Sequence, residues 1–404
     1  MKKLLALLLA ACMVFALCAC GAPAAQESAP PQGGDSPTGD TITIGHISPM
    51  TGSLAMYGTT TTNAAQLAVE EINAAGGVTV DGKAYSLVLE AKDDQGDPTE
   101  ALNAFSELTA DGVELINGCV NSASTAAITS PANSAGVCVI TGCSTADSIT
   151  TKTDYIFRSC FKDSYQGAIA AYYAYENGYK SVGVIYCAAD TYSKGLYDAF
   201  AASCGEHGLE VAAAQSTDTM EAVDFTNQVQ AMIDAGVEYI FCPYYYSAVG
   251  PYLVPQARAA GYDGVIFGAD GFDGTCDVVS SGTESAFHDV LFCTHFSGET
   301  ETEKVQNFVT SYTAKYGSSP NALAALDYDA VYMLAQAIEG AGSFAAADVQ
   351  AYLADTSKVY QCVTGTFSLD ETGTPTKGAV VNSIENVDGV VTQSLSSVID
   401  SLDW

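Results

Sequence analysis

Basic residues are scarce in this chain: 14 lysines and arginines stand against 47 aspartates and glutamates over 404 residues, a formal net charge of −33. A body this acidic repels phosphate backbones and anionic headgroups, which argues against nucleic acid as a partner. Only four histidines occur, His46, His207, His288 and His295. None stands in an HExxH motif, in a Cys/His zinc spacing or beside a recognisable nucleophile. The GxSxG elbow, the GxxxxGK[ST] phosphate loop and the dinucleotide fingerprint are also missing, so we expect no metal, no cofactor and no catalysis. No CxxC occurs either, although cysteines number 13. Cys12, Cys18 and Cys20 lie near the N-terminus. Many of the other ten sit in or at the end of apolar runs such as VCVI, VIYC, YIFC and VLFC. An even count permits a disulfide framework, but a free thiol in such a run acts as a small core hydrophobe, and that placement favours unpaired thiols.

Long apolar runs are rarer still. One occurs, Leu4 to Leu17, and it is too short to span a bilayer comfortably. With Lys2 and Lys3 ahead of it, it reads as a cleaved secretory signal over residues 1–20. The stretch Leu17-Cys18-Ala19-Cys20-Gly21 resembles the bacterial lipoprotein box, which implies that Cys20 becomes a lipidated N-terminus held at the membrane. Residues 21–40 are rich in Pro, Gly, Ala and Ser with no apolar period, the composition of a disordered tether. Roughly 364 residues remain beyond it, more than one ordinary core accommodates, so two domains are expected.

From Thr41 onward, strand and helix signals alternate. Short runs rich in Val and Ile occur at 41–47, 85–91, 113–119, 137–141, 181–187, 238–242, 264–268 and 289–293. They have the character of strands buried on both faces of a parallel sheet. Helical patterns lie between them, at about 58–75, 98–111, 123–134, 164–177, 192–206, 223–235 and 247–260. Two more, at 301–316 and 324–340, have no strand between them. This rhythm predicts an α/β fold with doubly wound parallel sheets, whose ligands bind at the strands' carboxyl ends.

Residues 42–58, ITIGHISPMTGSLAMYG, lead into a helix containing AVEEINAAGG. Further segments include YSLVLEAKDDQGDPTEA (85–101), NSAST (121–125), FRSCFKDSYQG (157–167), DTYSKGL (190–196), QARAAGYDGVIFGADG (256–271) and ALDYDAVYMLAQAI (325–338). In this order the set resembles the Leu/Ile/Val-binding family, the amino-acid receptors of ABC importers with a type I periplasmic-binding fold. The resemblance implies two doubly wound parallel-sheet lobes joined by three crossover strands. By position, lobe 1 holds 41–160 plus 292–372 and lobe 2 holds 161–291 plus 373–404. It further implies a free amino acid as ligand, the permease and ATPase subunits of an importer as partners, and an extracytoplasmic, lipid-anchored location. A monomer is the default for a tethered receptor.

A free amino acid brings a carboxylate and an ammonium, both costly to strip of water, so a buried site needs matched groups for each. Asn121-Ser122-Ala123-Ser124-Thr125 follows a strand and opens a helix, where hydroxyls and free N–H groups suit a carboxylate. Ordinary helix capping explains the same residues; the resemblance assigns Ser122 to the ligand carboxylate. It also assigns the Cys143 backbone carbonyl and the Thr145 hydroxyl to the ligand's α-groups. Asp270, in a Gly-rich turn where acids commonly serve turn geometry, matches the family's acid for the ammonium. Tyr57, Tyr192 and Tyr245 match tyrosines that line or cover the pocket, with Tyr245 uncertain by one place among Tyr244, Tyr245 and Tyr246. The pocket these residues would form suits a branched-chain or other hydrophobic amino acid. The family's disulfide between the loops at 93–98 and 120–122 has no counterpart, since Gly96 and Asn121 occupy those places. A sensor with the same cleft, or a urea or short-amide receptor on the same fold, is the competing reading; the latter would not need Asp270.

Overall fold

The computed structural model describes residues 40–151 and 153–404; the expected signal, tether and lipidated Cys20 lie outside the described residues. The first lobe is built on a six-stranded sheet of β1 (Thr41–Ser48), β2 (Val78–Val80), β3 (Lys83–Asp93), β4 (Leu115–Gly118), β5 (Cys138–Thr141) and β6 (Ile156–Arg158), in the order β2-β3-β1-β4-β5-β6. All pairs are parallel except β2 with β3. Every residue of β4, β5 and β6 is buried, as expected of strands with helices on both faces.

Helices α1 (Ala55–Ala74), α2 (Pro98–Ala110) and α3 (Ser122–Ala135) follow β1, β3 and β4 in turn. Their starts and stops follow local chemistry. Asp97 caps α2 by accepting from the N–H groups of Thr99 and Glu100, and Asn121 caps α3 by accepting from Ser124. Gly136 closes α3 in the left-handed conformation.

The second lobe carries a seven-stranded sheet of β7 (Ser181–Cys187), β8 (Glu210–Thr217), β9 (Tyr239–Phe241), β10 (Val265–Gly268), β11 (Val290–Thr294), β14 (Ala379–Val387) and β15 (Val390–Ile399). Its order is β15-β14-β11-β10-β9-β7-β8. The chain enters this lobe through α4 (Asp163–Glu176), and α5 (Thr191–His207) and α6 (Thr226–Ala235) follow β7 and β8. After β9 a helical segment opens as Tyr246–Ala248, passes through a π-helical turn at Val249–Leu253 and ends as Val254–Ala259, which we label α7. The edge pair β14–β15 is antiparallel, so the sheet is mixed at that side.

Between β11 and β14 the chain returns to the first lobe as α8 (Glu303–Tyr316), α9 (Ala322–Ala341), α10 (Ala346–Leu353) and the small hairpin of β12 (Tyr360–Cys362) and β13 (Gly365–Phe367). Helix α9 is buried along most of its length because it lies between α1, α10 and the sheet, and one core unites α1, α8, α9 and α10 with β1. The three crossings between lobes, at 159–162, 295–302 and 368–378, are connecting segments rather than ladder strands. They carry no sheet pairing beyond one bridge between Leu369 and Pro375.

The strand orders locate the cleft. In the first sheet β1 has β3 on one side and β4 on the other; in the second, β7 has β8 on one side and β9 on the other. At such reversals successive loops part to opposite sides and leave a crevice at the carboxyl ends. Tyr57, Ser122, Tyr192 and Tyr245 lie at or just before the helix starts that follow β1, β4, β7 and β9.

One glycine sets the first of these loops. A Cβ on Gly58, in the first turn of α1, would lie 2.0 Å from the Pro49 carbonyl oxygen, so helix and loop meet at a distance no side chain allows. Gly58→Ala should therefore cost about 1–3 kcal/mol of unfolding free energy. Chemical denaturation that returns an unchanged midpoint would show that the loop yields freely.

Candidate functional site

Between the lobes lies a small cavity with about 310 Å³ of space free of protein atoms, lined by Tyr57, Val120, Asn121, Ser122, Cys143, Tyr192, Tyr245, Asp270, Gly271 and Leu323. A larger open groove beside it, which runs past Met56, Asp273 and Ser297, holds none of the expected site residues.

On the first-lobe wall, Ser122 is the first residue of α3. Its hydroxyl oxygen accepts from the Ala146 N–H at 3.2 Å, which leaves the hydroxyl proton for another acceptor. The Asn121 side chain takes the Ser124 N–H at 2.7 Å, whereas the N–H groups of Ser122 and Ala123 have no partner within the helix. A helix start with free donors and a hydroxyl proton is built for an anion. Asn121 also donates from Nδ2 to the Gly96 carbonyl at 3.0 Å. A hydrogen bond thus joins the two loops whose counterparts in the resembled family share a disulfide.

The opposite wall is acidic. Asp270, 5% exposed, accepts from the Tyr192 hydroxyl at 2.8 Å through Oδ1, and its Oδ2 lies 3.2 Å from His295 Nε2. The Tyr192 oxygen in turn accepts from the Gly271 N–H at 2.9 Å. Burial lowers the His295 pKa to about 4, against the raising effect of its bond to Asp270. The ring is therefore neutral at physiological pH and serves Asp270 as a hydrogen-bond donor only. No lysine or arginine among the described residues pairs with Asp270.

Aromatic rings close the cavity. Tyr245 stacks on Tyr192 with centroids 5.1 Å apart and meets Tyr57 edge-on at 6.1 Å. The Tyr57 hydroxyl donates to the Gly271 carbonyl at 2.6 Å, and the Tyr246 hydroxyl donates to the Ser53 carbonyl at 3.1 Å. Asp273 accepts from the Ala322 N–H at 2.8 Å. Each of these bonds joins one lobe to the other. The three consecutive tyrosines have separate places: Tyr244 lies in the second-lobe core against Thr217, Tyr245 faces the cavity, and Tyr246 touches the first lobe.

Six of the seven residues singled out in the sequence line this cavity; Thr145 does not. Its hydroxyl is buried without a hydrogen-bond partner, and its carbonyl accepts from Arg158 at 2.8 Å. Arg158 is fully buried and also donates to the carbonyls of Ser144 and Ala146 and to the Thr150 hydroxyl, so it holds the whole loop after β5 in shape. Cys143 donates its thiol to Asp327 at 3.3 Å, and burial together with that acid holds the thiol well above its usual range. A thiol held protonated in this way packs as a small apolar group. All ten cysteines of the body are free.

Sequence reasoning missed His295, Arg158 and Leu323. His295 was visible only as one of four scattered histidines. Leu323 enters from α9, far along the chain, and no local signal marks it. Among the described residues no cluster of three or more His, Cys, Asp or Glu side chains could hold a metal ion, and no helix is long and apolar enough to cross a membrane.

Comparison with known proteins adds an independent line. A family model described as "Periplasmic binding protein" matches residues 41–387. A Leu/Ile/Val-binding protein homolog of Brucella melitensis is 30% identical over 334 residues, covering 82% of this chain and 88% of that protein. The solved structure of a leucine binding protein, LivK, from Thermotoga maritima superposes with a TM-score of 0.80 at 31% identity, covering 89% of this chain and 99% of that one. That of the branched-chain amino acid transporter substrate binding protein LivJ from Streptococcus pneumoniae, in complex with isoleucine, gives 0.79 at 34% identity, covering 88% and 99%.

A neutral buried histidine has a pH signature. The folded-state pKa of His295 lies below that of the unfolded chain, about 4 against 6.5. Its contribution is therefore complete above pH 6.5 and is lost as pH falls from 6.5 to 4. His295→Gln keeps an N–H donor for Asp270 and removes the titration. Between pH 7 and 4 the unfolding free energy of the wild type should fall relative to this variant by about 3 kcal/mol. Parallel denaturation curves at the two pH values that keep a constant gap would contradict the assignment.

Proposed function

The chain belongs to the periplasmic binding protein family, and on that premise we propose that it is the extracytoplasmic substrate-binding component of an ABC importer, closing its two lobes over a free amino acid. The observation that carries this reading is the pairing of opposite chemistries across one small cavity. A helix start with the Ser122 hydroxyl stands on the first-lobe wall, and the Asp270 carboxylate, without a cation, on the second.

In this reading the ligand carboxylate takes the Ser122 hydroxyl proton and the free N–H groups of α3. The ammonium takes Asp270, with the Cys143 carbonyl as a further acceptor; the Thr145 hydroxyl, unpartnered outside the cavity lining, turns toward it on binding. The ligand's side chain lies against Val120, Leu323 and the faces of Tyr57 and Tyr245, an apolar surround that favours an aliphatic amino acid. The leucine and isoleucine binders among the similar proteins support the same class. Because the cavity walls come from both lobes, ligand favours the closed arrangement, the hinge closure general to periplasmic binding proteins. The protein catalyses nothing in this account, is held to the membrane by lipid on Cys20, and passes its ligand to a permease driven by ATPase subunits.

Calorimetry against a panel of free amino acids, urea and short amides tests the class: an aliphatic amino acid should bind, and binding by an amide alone would sink the reading. Asp270→Ala should weaken amino-acid affinity by about 2–5 kcal/mol, since it leaves a dry ammonium unpaired. Ser122→Ala should cost less, about 1.5–3 kcal/mol for one hydrogen bond to a charged group. Wild-type affinity in either variant would remove that residue from the site.

A further inference from the structure

The acids near the proposed amine site do not end at Asp270. Asp163, the first residue of α4, is 1% exposed, and its Oδ2 is buried with no hydrogen-bond partner. Its backbone N–H donates to the Thr145 carbonyl at 2.9 Å, so a second-lobe helix is fastened to the first-lobe loop that carries Thr145. The Thr145 hydroxyl beside it is the other orphan, equally buried and equally unpartnered. Gln166, one turn along α4, donates from Nε2 to Asp163 Oδ1 at 3.4 Å and accepts from the Asp270 N–H through Oε1 at 3.0 Å. One glutamine side chain thus ties the two acids into one unit. Two unsatisfied oxygens at a lobe junction are costly to keep, and the ligand contacts assigned above use only one of them.

We propose that Asp163 is a positioning residue for the ligand's ammonium, acting through Thr145, and that it gives up a proton when the ligand binds. The inference rests on the amino-acid reading of the cleft. With the cleft empty of ligand, burial pushes the Asp163 carboxyl well above the usual carboxylate range, Asp270 and Asp147 push it the same way, and Thr145 and Arg158 work against them. Lys162, the residue before it, is only partly buried. Tyr192, Tyr245, Cys160 and Cys293 are kept neutral by burial, and so is His295. An ammonium arriving at Asp270 adds one cation to this dry cluster and favours a second carboxylate. The O–H bond of the Asp163 carboxyl then breaks, the proton passes to solvent, and the ligand keeps its own three. The carboxylate formed accepts the Thr145 hydroxyl proton, which turns the Thr145 lone pairs to the ammonium and satisfies both orphans together.

The test is calorimetry of L-leucine, and of the other amino acids that bind, at pH 7 in phosphate and in Tris, buffers of very different ionisation enthalpy. The wild type should release a measurable fraction of a proton per ligand. Asp163→Asn, with its fold checked by circular dichroism, should bind roughly tenfold more weakly and release none. A merely structural role for Asp163 would change affinity but leave the proton count as it was. Equal heats in the two buffers for the wild type, or undiminished release in Asp163→Asn, would overturn the proposal while leaving the amino-acid reading intact. Absence of heat with every amino acid in both buffers would overturn that reading first, and this inference with it.

Discussion

A carboxylate buried between two lobes, supplied with hydrogen-bond donors but with no cation, is the constraint around which the rest of this structure is arranged. Asp270 accepts from Tyr192 and from a neutral His295. Those bonds hold its two oxygens in place and leave its charge unbalanced. In water such a charge is harmless; in a closed cleft it demands a positive partner. The opposite wall presents the reverse demand, unfilled donors at the start of α3. A molecule bearing both charges a few ångströms apart meets both at once, and closure then removes it from water without leaving either end unpaired.

The scaffold explains why these groups meet. Each sheet reverses its strand order beside its first strand, and the loops that part at those reversals bring Tyr57 and Ser122 from one lobe and Tyr192 and Tyr245 from the other. Asp270 follows β10, the next strand beyond β9. Direct interlobe bonds from Tyr57, Tyr246 and Asp273 hold the cleft shut around them, and the crossings lie close by, with His295 on one of them packed against Phe161 on another at 3.6 Å between centroids. The acid that faces the cavity is thereby tied to the segments that connect the lobes.

Much of this was legible in the sequence, and the reasons differ by element. Strands such as VCVI and YIFC stand out because both of their faces are buried and their residues are uniformly apolar. The β14–β15 hairpin did not stand out. Its outer strand alternates toward solvent and is rich in Ser and Thr, and its antiparallel pairing breaks the strand–helix rhythm. The short helix α10 and hairpin β12–β13 were missed because few residues carry their pattern. At the site, residues that open helices after strands were visible, because helix starts have a local chemistry. His295 and Leu323 were not, because their positions come from packing between segments far apart in the chain. Thr145 lies on the loop after β5, and its hydroxyl stands unpartnered at the junction with Asp163, outside the cavity lining.

The central claim is that both ends of a zwitterion are recognised. The most direct measurement compares the affinity of leucine with those of isocaproate, which lacks the ammonium, and isoamylamine, which lacks the carboxylate. The account predicts that each loses at least about a hundredfold, since each leaves a buried charged wall unpaired. Isocaproate binding as tightly as leucine would contradict it, because Asp270 would then face no cation at all.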